Sequence, residues 1–242
     1  MLRQHLSGDH RPPVLSSVII SVAIWLVCGT TRSANLASLV NPFVGTAAGG
    51  NIVPGAIAPF GMVELSSDMD ASGFYVYGQH HINGFSMTHM SGCGCPNYGD
   101  VFFTATTGAV KVQPKQYGFD FSHQQEAASP GYYRVFMKTW GINAQFTATT
   151  RCGMAKFTFP AGKQGNVLIP ISHAANTTLA SNIHIINDHT VTGSVTSVTI
   201  VGTNLPVTVY FVMKFSAPFK TFGVWEGHSI KPQMRKQVQA QG

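Results

Sequence analysis

Acid–base chemistry draws mainly on carboxylates, and this sequence is poor in them: nine Asp and Glu side chains stand in 242 residues. They are Asp9, Glu64, Asp68, Asp70, Asp100, Asp120, Glu126, Asp188 and Glu226. Asp68, Asp70 and Asp100 lie in or beside glycine-rich loops, where polar side chains are disproportionately used for binding. Between them runs the stretch from Gly84 to Asp100, which carries Ser86, Thr88, His89, Ser91, Cys93, Cys95 and Asn97. A neutral imidazole donates and accepts at once, so His89 suits hydroxyl recognition. Small residues such as Ser91 and Gly92, with Asn51 upstream, let backbone groups approach a ligand closely. On pattern alone a second reading stands beside this one: long turns whose Ser, Thr and Asn satisfy their own backbone.

Thiols offer a different chemistry. Cys93 and Cys95 are two apart, a poor spacing for bridging each other, and either could meet Cys152. A zinc site built from Cys93, Cys95 and His89 would lack the longer cysteine spacing and second ligand pair that zinc sites usually use. One free thiol, or one bridge plus one free thiol, is the plainer expectation. His80 and His81 read as exposed neighbours; Tyr75 and Tyr77 read either as a platform for a ligand ring or as stacked inside the fold.

The elements that must hold these groups read as strands. Short β-favouring runs bounded by glycine or proline occur at 62–65, 101–104, 109–112, 133–138, 143–150, 152–159, 166–171, 190–200 and 207–215. In the last, Val207, Val209, Phe211, Met213 and Phe215 share one face, the period of a strand lying on a core. No window keeps a 3.6-residue period with caps, so helices are few and short. The sequence therefore predicts an all-β chain, a large β-sandwich. Asn176-Thr177-Thr178 is a glycosylation sequon.

Ahead of the strands, Arg3 and Arg11 precede an apolar stretch from Val14 to Cys28, and small polar residues follow. Basic start, short apolar middle and small-residue exit predict a secretory signal over 1–33 and a secreted or periplasmic protein. The residues before Cys28 fit a lipoprotein signal poorly, so lipid anchoring there is not expected. The formal charge of +6 is spread without runs longer than Arg235-Lys236. Nucleic acid is excluded as a partner by the missing basic patch.

Several blocks, taken together, resemble the N-terminal domain of glycoside hydrolase family 92, a family of calcium-dependent α-mannosidases. They are Asn41 to Thr46, Gly50-Asn51, Pro54 to Ala56, Pro59 to Val63, Leu65-Ser66 with Asp68, Gly84 to Ser86, Thr88-His89, Ser91-Gly92, Gly94, and Tyr98 to Asp100. Glu126 to Tyr133, Thr147 to Arg151, Phe157 to Pro160, Ser172-His173 and Phe215 to Trp225 extend the likeness across residues 39 to 226. The chain departs from the pattern at Ala47-Ala48-Gly49, where Gly-Gly-His is expected, at Met87, which replaces a histidine, and at Cys93, which replaces a threonine.

The resemblance implies a galactose-mutarotase-like β-sandwich over 34–242 and a mannose-containing glycan as partner. It also implies an (α/α)6 barrel that supplies the catalytic acid, the base and most calcium ligands from outside this chain. His89, Ser91, Gly92 and Asn51 become the expected sugar-facing or interdomain residues, while Asp68 and Asp100 either bond sugar hydroxyls or brace the loops. Inverting glycosidases set an acid and a base about 6.5–9.5 Å apart across the sugar, and nothing in the sequence marks such a pair. The expected function is a carbohydrate-interacting front domain, truncated and without hydrolysis by itself. A stand-alone carbohydrate-binding module, or a structural subunit pairing with a separately encoded barrel, is the alternative.

Overall fold

Glycine and proline punctuate the described chain closely, and between them short runs form seventeen strands and one turn of α-helix. The computed structural model describes residues 35–47, 49–69, 75–95, 97–199 and 205–240. The signal expected over 1–33, Cys28 and Asp70 lie outside them. All the strands belong to the body that begins at Ala37.

The first third supplies β1 (Ala56–Ile57), β2 (Glu64–Asp68), β3 (His81–Ile82), β4 (Gly84–Ser86) and β5 (Thr104–Thr107). The helical turn α1 (Pro114–Tyr117) and β6 (Phe119–Asp120) follow. An antiparallel meander then runs through β7 (Glu126–Ser129), β8 (Tyr132–Met137), β9 (Ile142–Ala148) and β10 (Gly153–Thr158). Gly131, at φ +74°, makes the Pro130-Gly131 turn between β7 and β8, a backbone angle that glycine adopts without strain. β11 (Gly165–Leu168) returns to pair with β5. The rest comprises β12 (Thr178–Ile185), β13 (Thr190–Val198), β14 (Pro206–Lys214), the hairpin β15 (Gly223–Glu226) and β16 (Ser229–Pro232), and β17 (Lys236–Ala240). A second four-stranded sheet has the order β14-β13-β12-β17, and a three-stranded one the order β1-β2-β4. The expected all-β sandwich is the observed fold.

Aromatic packing explains where the main core sits. The buried Phe85 ring lies 4.4 Å from Phe146, 5.6 Å from Phe119 and 6.1 Å from Phe103. Leu65, Ile82, Val135, Met137 and Ile142 close around it. A separate cluster of Ile171, Ile183, Ile185, Val191 and Val224 lies under β12 and β13. On β14 the expected two-residue period holds: Val207, Val209, Phe211 and Met213 are half-buried while Thr208, Tyr210 and Val212 face solvent. Among the described residues β14 is an edge, paired with β13 alone.

Three expectations shift: in one, the run expected at 101–104 gives way to β5 at Thr104–Thr107, with Phe103 only bridged to Phe85. Ala109–Val112 forms no strand; the segment leads instead into α1, where Pro114 takes a first-turn position, the one helical place where its missing N–H costs nothing. β2 begins two residues later than expected and continues to Asp68, with all five residues buried. Asp68 is thus the end of an interior strand rather than part of a loop.

Truncating Phe85 to Ala should cost about 3–5 kcal/mol of unfolding free energy. Tyr210→Ser on the exposed face of β14 should stay within about 0.5 kcal/mol. Urea titrations of the two variants against wild type measure both.

Candidate functional site

β2 and β4 run antiparallel with Ser66 opposite Ser86 and Asp68 opposite Gly84, so the polar end of β2 meets the entrance to the glycine-rich loop. Three residues beyond β4, the His89 ring turns inward. Its Nδ1 lies 2.8 Å from the Glu64 carbonyl oxygen and its Nε2 lies 2.8 Å from Asp68 Oδ1. Both neighbours accept, so a ring protonated on both nitrogens satisfies them together. The pair is sealed from water, with side-chain exposures of 2% for His89 and 0% for Asp68. Burial disfavours the imidazolium, but the Asp68 charge and the two hydrogen bonds outweigh it and raise the His89 pKa above the ordinary histidine value. Ser86 donates its hydroxyl to Asp68 Oδ1 at 3.1 Å.

Around this pair the interior stays polar. Asp100 N–H donates to Thr88 Oγ1 at 3.0 Å, closing the far end of the loop onto its start. Burial pushes the Asp100 carboxyl up to about 6, against the pull of the nearby Ser197 and Thr88 hydroxyls. Burial likewise raises Glu64, with the His89 charge and hydrogen bonds from Ser91 acting in opposition. Asp68 Oδ2, Asp100 Oδ1 and His173 Nε2 are buried without hydrogen-bond partners. His173 stacks 4.0 Å from the Phe102 ring and brings Nε2 to 3.8 Å from Asp68 Oδ2; burial lowers its pKa. On its other side His173 walls a cavity of about 300 Å³ together with His81, Asn83 and Tyr117.

The outer rim of the site is backbone-built. Gly92 N–H donates to Asn51 O at 2.6 Å, and Val53 N–H donates to Ser91 Oγ at 3.2 Å. Ser91 is also near enough to the Glu64 carboxylate to favour its charged form. Asn51 and Gly92 both have left-handed backbones, at φ +56° and +83°. Gly94, at φ +69°, sits so close that an added Cβ would lie 2.9 Å from Asn51 Nδ2. The 49–53 and 91–94 loops are therefore joined edge to edge.

Of the six residues singled out from sequence, three (Asp68, His89, Asp100) form one buried lattice and three (Asn51, Ser91, Gly92) form the joined loops over it. Glu64, Ser86, Thr88 and His173 also belong to the lattice. Ser86, Thr88 and His173 lay inside matching sequence blocks, whereas Glu64 gave no signal because only strand pairing places it under Ser91. The tyrosines divide: Tyr75 is buried and donates to Glu126 Oε2 at 2.8 Å, while Tyr77 is half-exposed and stacks 4.1 Å from His123 at 9°. Phe60 is fully exposed at φ +57°, and Met62 and Met154 are exposed too. Met62 and Val63 N–H groups share the Thr150 carbonyl at 2.8 and 3.3 Å, fixing that corner.

Calcium takes about 6–8 oxygen ligands. Here the orphaned carboxylate oxygens face histidine and hydroxyls, and no group of three His, Cys, Asp or Glu ligands assembles among the described residues. The residues present do not fit a calcium cage, and no step is assigned to the ion. Among the described residues Cys93, Cys95 and Cys152 are all free, without the bridge that was one expectation, and His89 faces Glu64 and Asp68 rather than a cysteine.

The lattice gives stability a pH dependence. A folded Asp100 titrating near 6 against about 3.9 when unfolded stabilises the fold fully below pH 4, by about 3 kcal/mol, and that share disappears as pH rises through 6. Glu64 and His89, also raised, act in the same sense, and His173, lowered, acts oppositely. The difference between wild type and Asp100→Asn in urea midpoint, measured from pH 4 to pH 7, isolates the Asp100 share. His89→Ala should destabilise by about 3–5 kcal/mol at pH 6, because it strands a buried carboxylate.

Comparison with known proteins places this geometry. Residues 39–242 match the model of the glycosyl hydrolase family 92 N-terminal domain. A family 92 α-mannosidase of Bacteroides thetaiotaomicron, solved with mannoimidazole, superposes at a TM-score of 0.76 with 35% identity, over 84% of this chain and 29% of the enzyme. A second mannosidase from that species, described as inverting, has the same fold at a TM-score of 0.74 and 24% identity, over 87% of this chain and 29% of its own. A secreted glycosidase of Arthroderma benhamiae is 30% identical over 144 residues, 54% of this chain and 18% of the relative. The chain thus spans less than a third of the length of each. With the motif blocks, the strand architecture and the family match in agreement, the chain belongs to glycoside hydrolase family 92, as its N-terminal domain.

Proposed function

We propose that this chain is the carbohydrate-facing front domain of an exported α-mannosidase, presenting a sugar-binding and domain-docking rim rather than the proton-transfer groups. The observation that carries this reading is the division of labour within the loops. Asp68 and His89 are consumed by each other inside the fold and Asp100 is buried against Thr88, while Asn51, Ser91 and Gly92 stand at the joined loop edge. A rim of short polar side chains on a rigid polar base suits hydroxyl recognition, since the loops that carry Asn51 and Ser91 are held in place before the ligand arrives. Hydrolysis asks for two carboxyls facing a sugar and a water. Asp68 and Asp100 are both fully buried, and Asp68 is committed to His89.

The exposed Phe60, Met62 and Met154 support a second role, docking against a helical barrel, whether continuous with this chain or encoded separately. An aromatic side chain held fully in water by a left-handed backbone is costly unless something covers it. Export is supported by the basic and apolar start of the sequence and by the description of the Arthroderma benhamiae relative as secreted.

The purified 242-residue chain should give no turnover of an aryl α-mannoside, with or without calcium. Calorimetry with mannose and mannobiose should show heat at millimolar sugar, weakened about tenfold by Asn51→Ala or Ser91→Ala, the scale of one lost hydrogen bond. Measurable hydrolysis would overturn the assignment of roles, and absence of heat would overturn the sugar-binding rim.

A further inference from the structure

The cavity of about 300 Å³ beside His173 carries groups that neither the rim nor the buried lattice uses. Phe102 and Tyr117 line it with ring surface, and Asn83, Lys115 and His173 add polar atoms. Its volume is that of about ten waters, enough for one ligand ring with its substituents.

The polar atoms sort by what each has left to offer. His173 Nε2 is sealed and faces Asp68 Oδ2 at 3.8 Å. The proton of the neutral ring therefore belongs on Nε2, and Nδ1 is left as an acceptor. Burial lowers the His173 pKa, which keeps the ring in that neutral form. Asn83 turns its amide nitrogen to the Met69 carbonyl, so Oδ1 is its remaining group, a second acceptor. Burial pushes the Tyr117 hydroxyl up to about 12, so it stays protonated, and no described residue bonds it. Lys115 is exposed, and among the described residues no carboxylate pairs with it. The acid across the wall, Asp120, is held by His81 Nδ1 at 2.8 Å and lines the neighbouring cavity instead.

One unpaired cation, one hydroxyl donor and two acceptors thus share a wall that contains no carboxylate. The ammonium calls for an anion, while the acceptors call for hydroxyl protons. We propose that this cavity is a binding site for a uronic acid, a sugar ring that carries its own carboxylate. The carboxylate meets Lys115 and the Tyr117 hydroxyl, ring hydroxyls donate to Asn83 Oδ1 and His173 Nδ1, and the carbon face rests on the aromatic wall. An inorganic anion would leave both acceptors unmet, and a neutral sugar would leave the cation unmet. The site shares no residue with the rim of Asn51, Ser91 and Gly92.

Calorimetry of the purified 242-residue chain with glucuronate, galacturonate, glucose and inorganic phosphate tests this. One of the two uronates should bind at least about tenfold more tightly than glucose or phosphate, the scale of one charge-assisted hydrogen bond. Lys115→Gln should erase that preference, and Tyr117→Phe, which removes only the hydroxyl, should weaken the uronate by about fivefold. Lys138→Gln, which alters the neighbouring cavity alone, should leave uronate affinity unchanged. Asn51→Ala should leave it unchanged too, so this site and the mannose-binding rim stand or fall separately. Absence of heat with both uronates would overturn the proposal, as would equal binding of glucose or phosphate. Full affinity in Lys115→Gln, or an equal loss in Lys138→Gln from diffuse surface charge, would overturn it as well.

Discussion

A carboxylate and a histidine with no access to water constrain the whole first third of this domain. Taking Asp68 out of solvent is tolerable only with a positive partner and good hydrogen bonds. His89 can serve only if its second nitrogen also finds an acceptor, which is the Glu64 carbonyl. That fixes three things at once: β2 must extend to Asp68, β4 must pair with it so that Ser86 arrives alongside, and the chain must turn back within three residues of β4. The turn in turn brings Ser91 over Glu64 and Gly92 against Asn51. The loop edge is a consequence of an interior charge pair.

This order of dependence explains why the most chemical-looking side chains are the least available. Aspartate and histidine attract attention in a sequence because they titrate, yet here they hold the floor, and the surface above them is made of amides, hydroxyls and glycine. Burial also leaves unmet capacity in the floor. Asp68 Oδ2, Asp100 Oδ1 and His173 Nε2 lack partners, each a desolvated group of the kind that ordered water often satisfies.

The sequence reading succeeds where one side of a strand is apolar and the other is not, as on β14, whose alternation survives intact into the burial pattern. It misses where polar residues go inside. β12 buries Ser181 among Ile183 and Ile185 and was not legible as a strand, and β2 buries Ser66, Ser67 and Asp68 where a loop seemed to begin. Ala109–Val112 errs in the opposite sense: β-favouring residues with no partner strand, drawn into the entry of α1 by Pro114. The candidate site followed the same rule. Residue types and motif blocks pointed to Asp68, His89, Asp100, Ser91, Gly92 and Asn51, but which of them face inward depends on the β2–β4 register. Glu64, reached only through that register, carried no mark.

The open side of β14 has a bearing on how this polypeptide behaves in a tube. Its outward N–H and C=O groups meet no described neighbour, and the exposed Tyr210 and Val212 lie beside them. Such a border is a template for a strand from another molecule, and Lys214, at its very end, is the one charge along it. Concentrating the isolated domain thus favours lateral zipping of copies into ribbons, and lysines placed along that border would be the natural means of keeping it dispersed.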